Sequence, residues 1–205
     1  MERVAFDVRR AAFGVRTIAV VLGALVVAGA AQVSIPLPGT PVPMTLQPMA
    51  VLLVGGLLGA RLGALSMILY LAMGAAGLPV FTPTVPLVGI ARLIGPTGGY
   101  LLAYPIAAYA VGWLTQPVVP RLLDESKAGS GGEDIGRRWV RVALGVLAGL
   151  VLIHLGGLAQ LAILTGNLSA AARFGTVPFL LGDLLKIAVL VPVLARLTPA
   201  IRARL

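Results

Sequence analysis

The sequence predicts an all-α membrane protein: six transmembrane helices, with two Pro/Gly-rich extracellular loops capping one side. Three observations carry this prediction. Hydrophobic residues make up 59% of the 205-residue chain, whose mean hydropathy is +1.00. Charged residues make up 11%, against about 25% in soluble domains. Finally, the apolar runs are separated by two kinds of connection, one basic and one uncharged and rich in Pro and Gly.

Residues 1–16 form a basic stretch with Arg9, Arg10 and Arg16. It resembles the leading region of a signal peptide, but the apolar run behind it continues without a cleavage site and further spans follow, so span one is read as retained at about 17–32. Between 33 and 48, Pro36, Pro38, Pro41, Pro43 and Pro48 forbid a regular helix. This uncharged segment is expected to fold back as a re-entrant cap shielded from lipid by protein. Span two, at about 49–58, is short and ends in a glycine-rich turn at Arg61. Span three covers about 62–76, where Gly63, Ala64, Ala72 and Gly74 permit close helix approach. Residues 77–99 form a second irregular stretch with short helical pieces.

Span four, at about 100–115, carries Tyr100 and Tyr104 as candidate pocket walls and Trp113 as an interface anchor. Residues 116–140 form the hydrophilic connection, expected to be a flexible cytoplasmic linker. Span five covers about 141–164 and is long enough to tilt. Its His154 is read as a hydrogen-bonded packing residue. Span six, at about 174–195, follows a short loop.

Lys and Arg set the orientation. With six spans and an inside N-terminus, thirteen fall on the cytoplasmic side, Arg92 and Arg173 fall outside, and Lys186 lies within the membrane. The formal charge of +9 is therefore topological and calls for no nucleic-acid partner. Both termini are expected to be cytoplasmic and both Pro/Gly-rich loops outside, so the unusual features converge on the outer face.

The chain has no cysteine, hence no disulfide, thiolate metal site or cysteine nucleophile. It has no HExxH or GxSxG pattern, and its single histidine has no obvious second metal ligand, so neither an enzyme nor a metal site is expected. No GxxxxGK[ST] is present, which excludes ATP hydrolysis by that route.

Span six contains Asp183 and Lys186, an acid and a base three apart on one helix face. Each charge near mid-bilayer costs about 2.5 to 3.5 kcal/mol on insertion scales, so such residues face a cavity or a partner. Two readings follow: a structural ion pair locking the bundle, or a polar ligand site walled by apolar helices. A carboxylate accepts and an ammonium donates, which suits a cyclic urea or amide with N–H groups beside a carbonyl. Alternatively, Lys186 holds a ligand carboxylate. Gln47 offers a neutral amide in the first cap, and Gly98 with Gly99 permits close backbone approach, to a ligand or in a helix-opening turn.

Four segments, VPMTLQ (42–47), GLPVF (77–81), GPTGGYLLAY (95–104) and PFLLGDLLK (178–186), together resemble the BioY family of biotin-binding S components of energy-coupling factor (ECF) transporters. The resemblance spans nearly the whole chain in order. It implies a membrane subunit of a prokaryotic plasma membrane that captures biotin from outside, with no cofactor. It places Asp183 and Lys186 in the pocket. Leu181 replaces the usual second Pro of the last motif, Leu101 stands where some members carry Arg, and apolar Leu87 stands where some carry Asn; Arg92 is the candidate replacement. The resemblance also implies a membrane-embedded coupling protein and a pair of ATP-binding cassette ATPases as partners. Small residues on the first helix meet that coupling protein in such systems; Ala24 and Ala28 fit, with Ala19 and Gly23 as the other register, and packing within the chain accounts for such pairs equally well. The alternatives are an S component for another vitamin or a stand-alone biotin permease.

Overall fold

The computed structural model describes residues 2–116 and 135–205, with side chains from residue 13 onward. Its helices are α1 (Glu2–Gln32), α2 (Gln47–Leu58), α3 (Ala60–Ala75), α4 (Ile90–Ile94), α5 (Gly98–Leu114), α6 (Ile135–Thr165), α7 (Leu168–Gly175) and α8 (Leu180–Arg202). A 3-10 turn, Val177–Phe179, leads into α8.

Side-chain bonds to backbone carbonyls show how the long helices alternate. At one end, Arg202 of α8 donates to the carbonyls of Gly56 (2.5 Å), Gly112 (3.2 Å) and Thr115 (3.0 Å) and to the Thr115 hydroxyl (2.7 Å). These bonds satisfy orphan carbonyls at the C-terminal ends of α2 and α5, where a cation also complements the helix dipoles. Near the same end, Arg16 of α1 reaches the Leu205 carbonyl at 3.1 Å and Arg141 of α6 reaches that of Gln116 at 3.2 Å. At the other end, Gln32 closes α1 beside the carbonyls of Pro79 and Phe81, and Gln160 of α6 donates to those of Leu93 and Gly95. Hence α1, α3 and α6 run toward the capping loops, and α2, α5 and α8 run away from them.

The bundle is apolar on the outside. Ile106, Ile163, Leu181, Leu184 and Leu185 are all more than 60% exposed, a surface that water would not tolerate and lipid does. Three stretches, Phe13–Gln32, Ile135–Thr165 and Leu168–Arg202, are long and apolar enough to cross a bilayer. α2 and α3 have 12 and 16 residues; at about 1.5 Å per residue the first covers only about 18 Å of the roughly 30 Å hydrocarbon core.

Several boundaries differ from the sequence expectation. α1 is helical from residue 2, because a basic run is no barrier to helix continuation. α6 begins at Ile135, so residues 135–140 of the expected linker are helical, and the rest of it, 117–134, lies outside the described residues. The expected sixth span, 174–195, is shifted: its first residues belong to α7 and the Pro178 turn, and α8 continues through Pro192 and Pro199 to Arg202. The first cap is a small hairpin in which Ser34–Ile35 pairs antiparallel with Met44–Thr45. Its outgoing half is largely exposed, and only the returning stretch with buried Val42 covers the bundle.

Ala24 and Ala28 need correction. They are 0% and 9% exposed and face the chain's own α2 and α3, not a partner. Gly23, of the alternative register, is equally enclosed, against Ser66 and Val54. Small side chains here let α1 pack closely within the bundle. The outward face of α1 is instead formed by Ile18, Leu22, Leu25 and Val26.

Glycines set the closest contacts. A Cβ on Gly55 would strike the Ala108 backbone of α5, and one on Gly112 would strike the backbone of Gly59 and Ala60. Gly59 itself turns α2 into α3 with φ +86°, a left-handed value that favours glycine. Gly112→Val is expected to lower the melting temperature sharply, because the clash is with backbone and overpacking costs typically about 1 to 3 kcal/mol. Gly29→Val, which meets open space, is the control expected to melt within a few degrees of the parent in the same detergent.

Candidate functional site

Beneath the two capping loops lies a small cavity of about 50 Å³. α8 supplies the charge. Pro178 opens the 3-10 turn, Phe179 faces the cavity, and Asp183 follows in the first helical turn, where the N-terminal dipole favours a carboxylate. One turn later Lys186 donates to Asp183 Oδ1 at 2.8 Å. Both side chains are about nine-tenths buried. From α6, His154 Nε2 lies 2.5 Å from Asp183 Oδ2. An ionised carboxylate only accepts, so the proton of this bond belongs to Nε2.

Of the residues expected from sequence, Asp183, Lys186, Gln47, Tyr100, Tyr104 and Arg92 line the cavity. Their polar atoms are differently engaged. Gln47 is the first residue of α2, not part of the cap; its Nε2 donates to the Tyr70 hydroxyl at 2.6 Å, while Thr45 donates to its Oε1 at 3.3 Å. Tyr70 in turn donates to the Val80 carbonyl at 3.2 Å, so one hydroxyl of α3 ties the start of α2, at the base of the first cap, to the second cap. Its ring packs edge-on to Phe81 and stacks with Tyr104. Tyr100 donates to the Gly175 carbonyl at the end of α7, with Gly157 leaving room for its ring.

Arg92, only 1% exposed, is spent largely on the second cap. It donates to the carbonyls of Thr82 (2.5 Å), Val85 (2.5 Å) and Leu87 (3.3 Å). Leu87 thus contributes through its backbone, and Leu101 is a buried apolar wall. Leu181, at the position of the motif's missing Pro, points away from the cavity and is 80% exposed.

Gly98 and Gly99 do not line the cavity. A Cβ on Gly98 would meet the Leu93 carbonyl, and one on Gly99 the Gly156 carbonyl of α6. They serve close packing of α5 on its neighbours rather than approach to a ligand. Conversely, His154 belongs to the charged cluster, which its reading as a packing residue missed. The available signal was energetic: a lone imidazole in an apolar span needs a polar partner, and span six offered one. Thr45, Phe81 and Phe179 also line the cavity; each lies within one of the motif segments, where none of them was singled out.

The arrangement is a chamber of mixed lining with a carboxylate oxygen and an ammonium side by side. The chain as a whole is similar to known proteins in sequence and shape. The model of the BioY family matches residues 4–203. A probable biotin transporter BioY of Pyrococcus horikoshii is 38% identical over 167 residues, covering 82% of this chain and 86% of its own. The biotin transporter BioY of Thermotoga maritima is 37% identical over 174 residues, covering 85% and 89%. The crystal structure of the S-component for biotin from an ECF-type ABC transporter aligns with a TM-score of 0.70 at 25% identity, over 89% of each chain. With a match that takes in both caps, all the long helices and the Asp183–Lys186 turn, this chain belongs to the BioY family.

Proposed function

We propose that this chain takes up biotin across the cytoplasmic membrane of a prokaryote as the substrate-binding S component of an ECF-type transporter. The observation that carries the reading is the Asp183–Lys186 pair, with acceptor and donor atoms 2.8 Å apart in a buried cavity. A ureido ring presents the complementary edge, an N–H donor beside a carbonyl acceptor. The formal charges lining the cavity, Arg92 and Lys186 against Asp183, leave an excess of positive charge that suits the ligand's carboxylate. Phe81, Phe179, Leu101 and Ile153 form an apolar enclosure for the thiophane ring and alkyl chain. The chain supplies a receptor and no hydrolytic machinery, so a membrane-embedded coupling protein and ATP-binding cassette ATPases supply the energy.

The same reading orients the molecule. Six helices alternate in direction, the caps face outside, and the Arg202 end, with Arg16, Arg61 and Arg141 nearby in the chain's turns and helix ends, faces the cytoplasm. Cysteines placed singly in 33–41 and 83–88 are expected to react with an impermeant reagent on intact cells, and cysteines in 117–134 only after permeabilisation. The reverse pattern would overturn the orientation.

Calorimetric titration of purified protein is expected to show tight biotin binding and none with thiamine or riboflavin. Asp183→Ala is expected to weaken biotin by more than about tenfold. A charged hydrogen-bond acceptor is worth about 1.5 to 3 kcal/mol, and Lys186 is left unpaired where breaking a buried pair costs roughly 3 to 5 kcal/mol. Asp183→Asn keeps one acceptor and is expected to lose less. If the pair is only structural, both variants melt earlier yet bind biotin normally once folded.

A further inference from the structure

An ionised carboxylate has four lone-pair positions and can only accept. At Asp183, Lys186 occupies one on Oδ1 and His154 one on Oδ2. Lys186 and Asp183 share α8, so their contact restrains neither against the rest of the protein. The bond from His154 is the one that crosses between helices, from α6 to α8.

The imidazole is itself held. Its centroid lies 6.4 Å from that of Tyr100, nearly edge-on at 81°, and 6.4 Å from that of Phe179. Its other nitrogen, Nδ1, is buried with no hydrogen-bond partner. The polar chemistry of His154 is directed at a single atom, Asp183 Oδ2.

We propose that His154 is the positioning residue of this site. It locks the rotation of the Asp183 carboxylate, so that Oδ1 stays beside the Lys186 ammonium as a fixed acceptor–donor pair. It thereby selects ligands that carry an N–H beside a carbonyl oxygen. Without it the carboxylate is free to turn on α8 and close both oxygens around Lys186, which hides the acceptor from a ligand. The proposal rests on the reading of Asp183 as the ligand's acceptor.

Three variants and one spectrum test it. His154→Phe keeps a ring between Tyr100 and Phe179 but removes the donor. It is expected to weaken biotin by roughly tenfold or more, the weight of a charge-assisted hydrogen bond, with a melting temperature near the parent's. The diamine obtained by removing the ureido carbonyl lacks the selected edge, and its weaker binding is expected not to change. His154→Gln, which retains an N–H, is expected to recover much of the loss. His154 is the only histidine in the chain, so histidine-selective 15N labelling of protein carrying a histidine-free tag reports one ring. A hydrogen-bonded Nε2–H resonance is expected in the parent and is expected to vanish in Asp183→Ala. Parent-like biotin affinity in His154→Phe, equal losses for biotin and the diamine, or no recovery in His154→Gln would overturn the proposal. If His154→Phe does not fold, absence of that resonance in the parent overturns it alone. Undiminished biotin affinity in Asp183→Ala would remove the underlying site reading instead.

Discussion

A carboxylate can sit inside an apolar bundle only if each of its oxygens is answered, and Asp183 shows what that demands of a fold. Its Oδ1 takes the Lys186 ammonium, its Oδ2 takes His154, and the first turn of α8 adds the positive end of a helix dipole. Two helices must therefore come together at one depth with little tolerance. α6 reaches that position by packing along α5, where Gly99 and Gly156 bring backbones into close approach. α8 reaches it by a Pro178 turn above and the Arg202 anchorage below. Isolated charges in hydrocarbon are costly; here that cost is offset by geometry distributed over the whole bundle.

The architecture divides its residues by contact rather than by size or polarity alone. Large branched side chains such as Leu184 and Ile163 point outward, while Leu52, Ile153, Leu190 and Leu194 are buried beside the small and polar residues. In lipid there is no hydrophobic gain from sequestering Leu, so helix contact depends on shape and on polar bonds. This is why glycine lies at the tightest crossings and why arginine side chains end helices by capping carbonyls.

That same division explains how much could be read from the residues. Hydropathy and proline placement disclose the helices and both caps, because lipid burial and forbidden backbone hydrogen bonds are local properties. The spacing of Asp183 and Lys186 discloses a site, because three residues on a helix is also local. The partner on α6 is 29 positions away, and nothing near His154 specifies which helix it faces. Small residues carry a related ambiguity: Ala24 and Ala28 announce a close helix contact but not with what, and the contact is internal. Likewise Gly98 and Gly99 announce close approach of a backbone, which turned out to be that of α4 and α6. Arg92 reads as a candidate pocket contact in sequence; in three dimensions its two terminal nitrogens donate to carbonyls of the second cap.

The shared hydroxyl of Tyr70 has a mechanical consequence. It accepts from Gln47 at the base of the first cap and donates to Val80 at the root of the second. Lifting either cap far enough to pull on its anchor disturbs the bond that holds the other. The two loops are therefore linked mechanically through one hydroxyl of α3, with no contact needed between them.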